Sequence, residues 1–171
     1  MKRTLLLLPL LALDAASAAK KSKSKAAKAD SLSSALARGD EFRQKADYEG
    51  AERAYRAAAK LEPTRAEPHF FLGMTARAAG RTDDAMAHYE QALALSPQLA
   101  EAHMNVASLL SQMPGREEEA LEHYAKALEL REWPLDLAAQ AEYNSGICLY
   151  NLGRTEEAQV ALERANGQAA T

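Results

Sequence analysis

Four histidines and one cysteine are the residues here best suited to hold a metal or attack an electrophile. His69 and His103 are 34 residues apart, and His88 and His123 are 35 apart. Imidazoles bind zinc only when each ring nitrogen comes within about 2 Å of a shared ion. Equivalent positions on stacked helices lie roughly 9–10 Å apart, so the spacing reads as structural periodicity and no metal is expected. As the single cysteine, Cys148 can form neither an intramolecular disulfide nor a Cys-based zinc site. It sits in an apolar stretch with no cation beside it to depress its pKa, which fits an inert buried thiol. There is no Gly-rich phosphate loop and no nucleophile–base pair. The run Glu117–Glu119 opens a helix, where negative charge suits the dipole. The expectation is a non-enzymatic protein that needs no cofactor.

The histidine spacing belongs to a wider repetition. "AMAHYEQALAL" (Ala85–Leu95) and "ALEHYAKALEL" (Ala120–Leu130) agree at six of eleven positions. The echo extends to "EGAERAYRAAAKLEP" (Glu49–Pro63) and "EEAQVALERAN" (Glu156–Asn166). Ala51, Ala85, Ala120 and Ala158 correspond, with Tyr55, Tyr89, Tyr124 and Leu162 four residues on. Small residues recur upstream at Gly39, Gly73, Ala107 and Gly146. Successive steps are 34, 35 and 38 residues, the extra ones falling in "QMPGRE" and "EWPLDL". Within each segment apolar and small residues recur every three or four positions, the period of one helical face. Abundant Ala and scarce Val and Ile also favour helix over sheet.

These positions resemble the tetratricopeptide repeat, in which two antiparallel helices recur about every 34 residues and meet at small side chains. The resemblance implies an all-α fold, a right-handed α-α superhelix of four helix-turn-helix repeats at about 32–65, 66–99, 100–134 and 139–167. Departures are Ala35, His69, His103 and Glu142 where the family has Trp, and Ala107 where it has Gly. Expected helices are Leu32–Gln44, Tyr48–Leu61, Ala66–Ala78, Asp83–Leu95, Ala100–Ser111, Glu117–Leu130, Leu137–Asn151 and Glu156–Ala165. Gly80, Gly153 and Pro114–Gly115 punctuate the turns between paired helices. Ser96 before Pro97 reads as an N-cap, and Thr82 and Thr155 as caps of second helices. Asn166 and Gln168, where earlier repeats have leucine, give the last repeat a polar outer face.

Two leading segments stand outside this repetition. Residues 1–19 pair a basic start (Lys2, Arg3) with the apolar run Thr4–Leu13 and the small-residue site Ala16–Ala18, the layout of a secretory signal peptide. This ten-residue stretch, broken by Pro9, falls short of the roughly 20 apolar residues that span a bilayer. Residues 20–31 carry five lysines and no large apolar side chain, so they read as a disordered spacer. Residues 168–171 are a short tail. The expected destination is an exported compartment: secreted, periplasmic or secretory-pathway lumen. A two-part plastid leader is a minor alternative.

Charge separates the regions. From Asp30 onward there are 14 Lys and Arg against 23 Asp and Glu, a balance of −9; before it the count is 7 against 1. An acidic domain excludes nucleic acid, which needs a basic face. Membrane contact is confined to the basic spacer.

The resemblance also implies a binding surface, since first helices of this family line a concave groove. Carried over by position, repeat two supplies Phe70, Phe71, Met74 and Arg77. Repeat three supplies Met104, Asn105, Ser108 and Gln112, and repeat four Tyr143, Asn144, Ile147 and Asn151. Aromatic and Met side chains give adaptable apolar contact, and Asn can bond an extended backbone through donor and acceptor. The Lys/Arg and Asn clamp of chaperone-binding members is missing, because its positions read Leu36, Asp40, Phe71, Glu101 and Asn105. Asn105 and Asn144 resemble the Asn series in the repeat arms of O-linked N-acetylglucosamine transferases, but Ala37 and Phe71 interrupt it. The expected function is a protein-binding adaptor whose partner is a protein or peptide. The alternatives are a recognition subunit for a separate enzyme and a self-associating structural protein, which leaves homo-oligomers open.

Overall fold

The computed structural model describes residues 31–130 and 132–167. The expected signal peptide, nearly all of the Lys-rich spacer and the 168–171 tail lie outside the described residues. Eight helices and no strand occur among the described residues. They are α1 (31–44), α2 (Tyr48–Leu61), α3 (Glu67–Ala78), α4 (Thr82–Leu95), α5 (Ala100–Leu110), α6 (Glu117–Leu130), α7 (Leu135–Asn151) and α8 (Thr155–Ala165). The fold class is all-α, as the resemblance implies. None of these helices is long and apolar enough to cross a membrane.

The chain divides after Pro63 into two compact units, α1–α2 and α3–α8. In the first, Ala51, Ala54, Tyr55 and Ala58 of α2 are buried. In the second, α3–α4, α5–α6 and α7–α8 pair as helical hairpins, and α5 and α7 each also pack on the preceding second helix. A continuous core runs through Tyr89, Val106, Leu110, Tyr124, Ala141 and Cys148.

Small residues set the closest approaches. A Cβ built on Gly73 would lie 2.6 Å from Cδ1 and Cε1 of Tyr89, a fully buried ring. A glycine there lets α3 and α4 touch through backbone and ring.

The turns close on hydrogen bonds that the helix ends would otherwise lack. Gly80 is left-handed (φ +75°); its N–H donates to Arg77 O at 3.0 Å, and Arg81 N–H to Ala76 O at 2.9 Å, a Schellman motif. Gly153 and Arg154 repeat it on Tyr150 and Leu149. The first unit uses the same turn, with Ala46 N–H on Arg43 O and Asp47 N–H on Phe42 O, but there the left-handed residue is Ala46 (φ +56°).

The caps differ from expectation. Ser96 ends α4 rather than starting α5, whose N-cap is Leu99. Thr82 and Thr155 are first helical residues, and Arg81 and Arg154 occupy the cap positions without a capping hydrogen bond from their side chains. In the first unit Asp47 does cap α2, accepting from Gly50 N at 2.8 Å. The sequence signal misplaces Thr82 and Thr155 by one residue, because Thr is also tolerated at the first helical position, and Ser96 by three, because it closes the preceding helix.

Candidate functional site

First helices of the second unit enclose a groove of about 650 Å³. From α3 come Phe70, Phe71, Met74 and Arg77. They share one face because they are spaced three and four apart. Met104, Asn105 and Ser108 of α5 follow with the same spacing, joined by Glu101 at the rim. From α7 come Leu137, Gln140, Ala141 and Asn144. Eight of the twelve residues expected from the sequence therefore meet in one cavity. Gln112, Tyr143, Ile147 and Asn151 do not line it. Tyr143 and Ile147 are exposed on α7, with Tyr150 beside them, where they form an apolar stripe outside the groove.

The floor is aromatic and sulfur-rich. Phe70 lies 5.6 Å from Phe71 and 5.8 Å from Tyr89 between ring centroids, both tilted pairs. Trp133 also lines the groove, its indole Nε1 donating to Ala127 O at 2.9 Å. Its place in the insertion "EWPLDL" hides it from repeat alignment. A lone Trp beside Pro134, just ahead of a first helix, is the signal that could have found it.

The two asparagines are held in different ways. Asn105 Nδ2 donates to Glu101 O one turn back at 2.7 Å, whereas Asn144 Nδ2 donates to Tyr124 OH at 3.1 Å. Each carboxamide therefore keeps its oxygen and a second N–H for another partner. Asn144 also supports the core, a role its sequence position does not reveal.

The histidines pair within repeats. Rings of His69 and His88 lie 6.4 Å apart, those of His103 and His123 5.0 Å apart, and Nδ1 of His103 is 2.9 Å from Nδ1 of His123. Comparing equivalent positions of successive repeats overlooks this contact between the two helices of one hairpin. Pro97 O accepts from His103 Nε2 at 3.1 Å, so in the neutral ring Nδ1 of His103 accepts from His123. Burial lowers the pKa of both His69 and His123, and the neighbouring His103 lowers that of His123 further. No group of three or more His, Cys, Asp or Glu able to hold a metal occurs among the described residues. Cys148 is buried, and burial pushes its thiol pKa up, away from reactivity.

The sequence pattern of the tetratricopeptide repeat family matches residues 36–110 and again 140–167. No curated protein sequence matches the chain. Among solved structures, MamA from Desulfovibrio magneticus (residues 41 to the end) superposes with a TM-score of 0.69 at 20% identity, covering 81% of this chain and 76% of that one. PilW, a type IV pilus biogenesis factor, gives 0.68 at 24% identity, covering 80% and 61%. An O-GlcNAc transferase mutant from Thermobaculum terrenum gives 0.59 at 24% identity, covering 71% of this chain but 22% of that one. At these identities the likeness is one of fold. Together with the two sequence matches and the helical hairpins, it means that the chain belongs to the tetratricopeptide repeat family.

Proposed function

We propose that this protein is a non-enzymatic adaptor that binds an extended segment of a partner protein in the groove of α3, α5 and α7. The observation that carries this reading is one cavity combining an apolar floor of Phe70, Phe71, Met74 and Met104 with two asparagines that retain unused donors and acceptors. An extended strand needs its peptide N–H and C=O groups met at intervals and its side chains received between them. Export by the leading segment is part of the same proposal, so the partner belongs to an extracytosolic compartment.

Asn105→Ala tests the groove without touching a core hydrogen bond. Losing a desolvated bond to the ligand costs about 1–3 kcal/mol, a weakening of roughly fivefold to somewhat over a hundredfold at 1.4 kcal/mol per decade. Phe71→Ala should weaken binding as well. Titration of a partner captured from the native compartment against each variant reads the effect. Affinity unchanged in both variants would place the ligand elsewhere on the molecule and defeat the proposal.

A further inference from the structure

Tyr55, Tyr89 and Tyr124 hold one repeat position and are essentially fully buried, yet their hydroxyls meet different fates. In the first unit Tyr55 OH donates to Asp40 Oδ1 at 2.7 Å, and Arg43 Nη2 donates to the same oxygen at 3.0 Å. A carboxylate is thus held between a tyrosine hydroxyl and a guanidinium. Tyr124 OH accepts from Asn144 and lies 3.5 Å from Ser111 Oγ. Tyr89 OH is buried without any hydrogen-bond partner.

The second repeat keeps two of the three groups seen in the first. Tyr89 follows Tyr55 by 34 residues and Arg77 follows Arg43 by 34, but Met74 stands where Asp40 stands. Arg77 is exposed on the groove wall, and no carboxylate pairs with it among the described residues. Asn105, the counterpart of the Asn144 that satisfies Tyr124, is turned back onto Glu101 O and leaves Tyr89 unmet. Arg77 and Asn105 line the groove, and the orphaned Tyr89 hydroxyl is buried behind it, within electrostatic reach of Arg77.

We propose that Tyr89 and Arg77 form a subsite for one carboxylate of the bound segment, an Asp or Glu side chain or a terminal carboxylate. The inference rests on the adaptor reading and specifies what the groove selects. The ligand oxygen takes the place that Asp40 occupies in the first repeat, receiving one hydrogen bond from Tyr89 and charge-assisted bonds from Arg77. Access needs side chains of the groove wall to shift; Met74, packed against the core that holds Tyr89, and Arg77 are both long and flexible. Burial pushes the Tyr89 pKa up to about 12, so the hydroxyl keeps its proton and remains a donor.

A random nonapeptide library, one arm with free and one with amidated C-termini, panned against the full chain tests this. Wild-type protein should enrich carboxylate-bearing peptides. Enrichment of Asp and Glu in the amidated arm identifies a side chain, whereas enrichment confined to the free arm identifies the terminus. Arg77→Gln should weaken the enriched peptides about tenfold or more, and Met74→Asp should do the same by supplying the carboxylate internally. Binders lost with Asn105→Ala but indifferent to carboxylates and to Arg77→Gln overturn the subsite and leave the adaptor reading intact. Binders indifferent to both Asn105→Ala and Phe71→Ala, or no binders, overturn both. A second measurement is independent of any peptide. Tyr89→Phe should keep the melting temperature of the free protein, having no bond to lose, whereas Tyr124→Phe should lower it. Equal losses would mean that the Tyr89 hydroxyl is already satisfied, and the subsite would fall.

Discussion

Gly73→Ala adds one methyl where α3 meets α4, and the structure sets its effect. The new Cβ would sit 2.6 Å from two ring carbons of Tyr89 and 3.1 Å from a third. Carbon pairs rest at about 3.5–4.0 Å, so ring and helix must part by nearly 1 Å. The ring is rigid and fully buried and cannot rotate away. Overpacking of this kind costs about 1–3 kcal/mol, while replacing a mid-helix glycine by alanine returns about 1 kcal/mol of helix propensity. The net expectation is a loss of about 0–2 kcal/mol. Gly146→Ala is the matched comparison. There the Cβ meets Leu162 Cγ at 2.8 Å and Cδ2 at 2.9 Å, the end of a flexible, half-buried side chain that can change rotamer. Propensity should then prevail, giving a change near zero or a small gain. Thermal melts of both variants should differ by several degrees, at about 2–4 °C per kcal/mol for a chain of this size. A Gly73→Ala protein as stable as Gly146→Ala would refute the rigid-ring explanation. Repeat three already holds a methyl at this position, Ala107 against Tyr124, with one extra residue in the following turn.

Ala46→Gly should raise stability by about 0.5–1 kcal/mol, since alanine at φ +56° carries a left-handed penalty that glycine avoids; a lower urea midpoint would contradict this. Stability should be complete above about pH 6.5, the usual histidine pKa, and fall as pH drops through the lowered folded pKa values of His69 and His123, because the unfolded chain takes up protons first. Melts across that range should show the decline and a double His→Gln variant should flatten it, whereas a rise on acidification would reverse the assignment. Asn144→Ala should destabilise the free protein by about 1–3 kcal/mol by removing the bond to buried Tyr124; Asn105→Ala should not, and equal melting temperatures would exclude a core role for Asn144. N-terminal sequencing of exported protein should begin near Ala19 or Lys20, and an intact Met1 would rule out cleavage of the leader.

The helices were legible because small and apolar residues mark the same face in every repeat, and α2 and α6 fall at the expected limits. Cap residues were less legible: Ser and Thr near a helix start signal the region, while the final residue depends on backbone geometry set by packing. The groove residues of α3 and α5 follow from the inward-facing positions that the family resemblance supplies. Trp133 does not, since the insertion that carries it has no counterpart in other repeats. The His103–His123 contact escaped for another reason, because a repeat period relates equivalent helices and says little about which residues of the two helices in one hairpin face each other. Asn144 shows the same gap: its repeat position predicts a ligand contact, and its neighbour Tyr124 in the adjacent repeat gives it a structural one.

Trp133 is the single tryptophan of the chain, and it lines the groove with its indole tied to Ala127 O. All intrinsic tryptophan emission therefore originates at the proposed binding surface. A half-buried indole emits according to how much water relaxes around its excited state, so a segment that enters beside it should shift the spectrum to the blue and shield it from a soluble quencher. The native protein is its own optical titration, with no label placed near the residues under test.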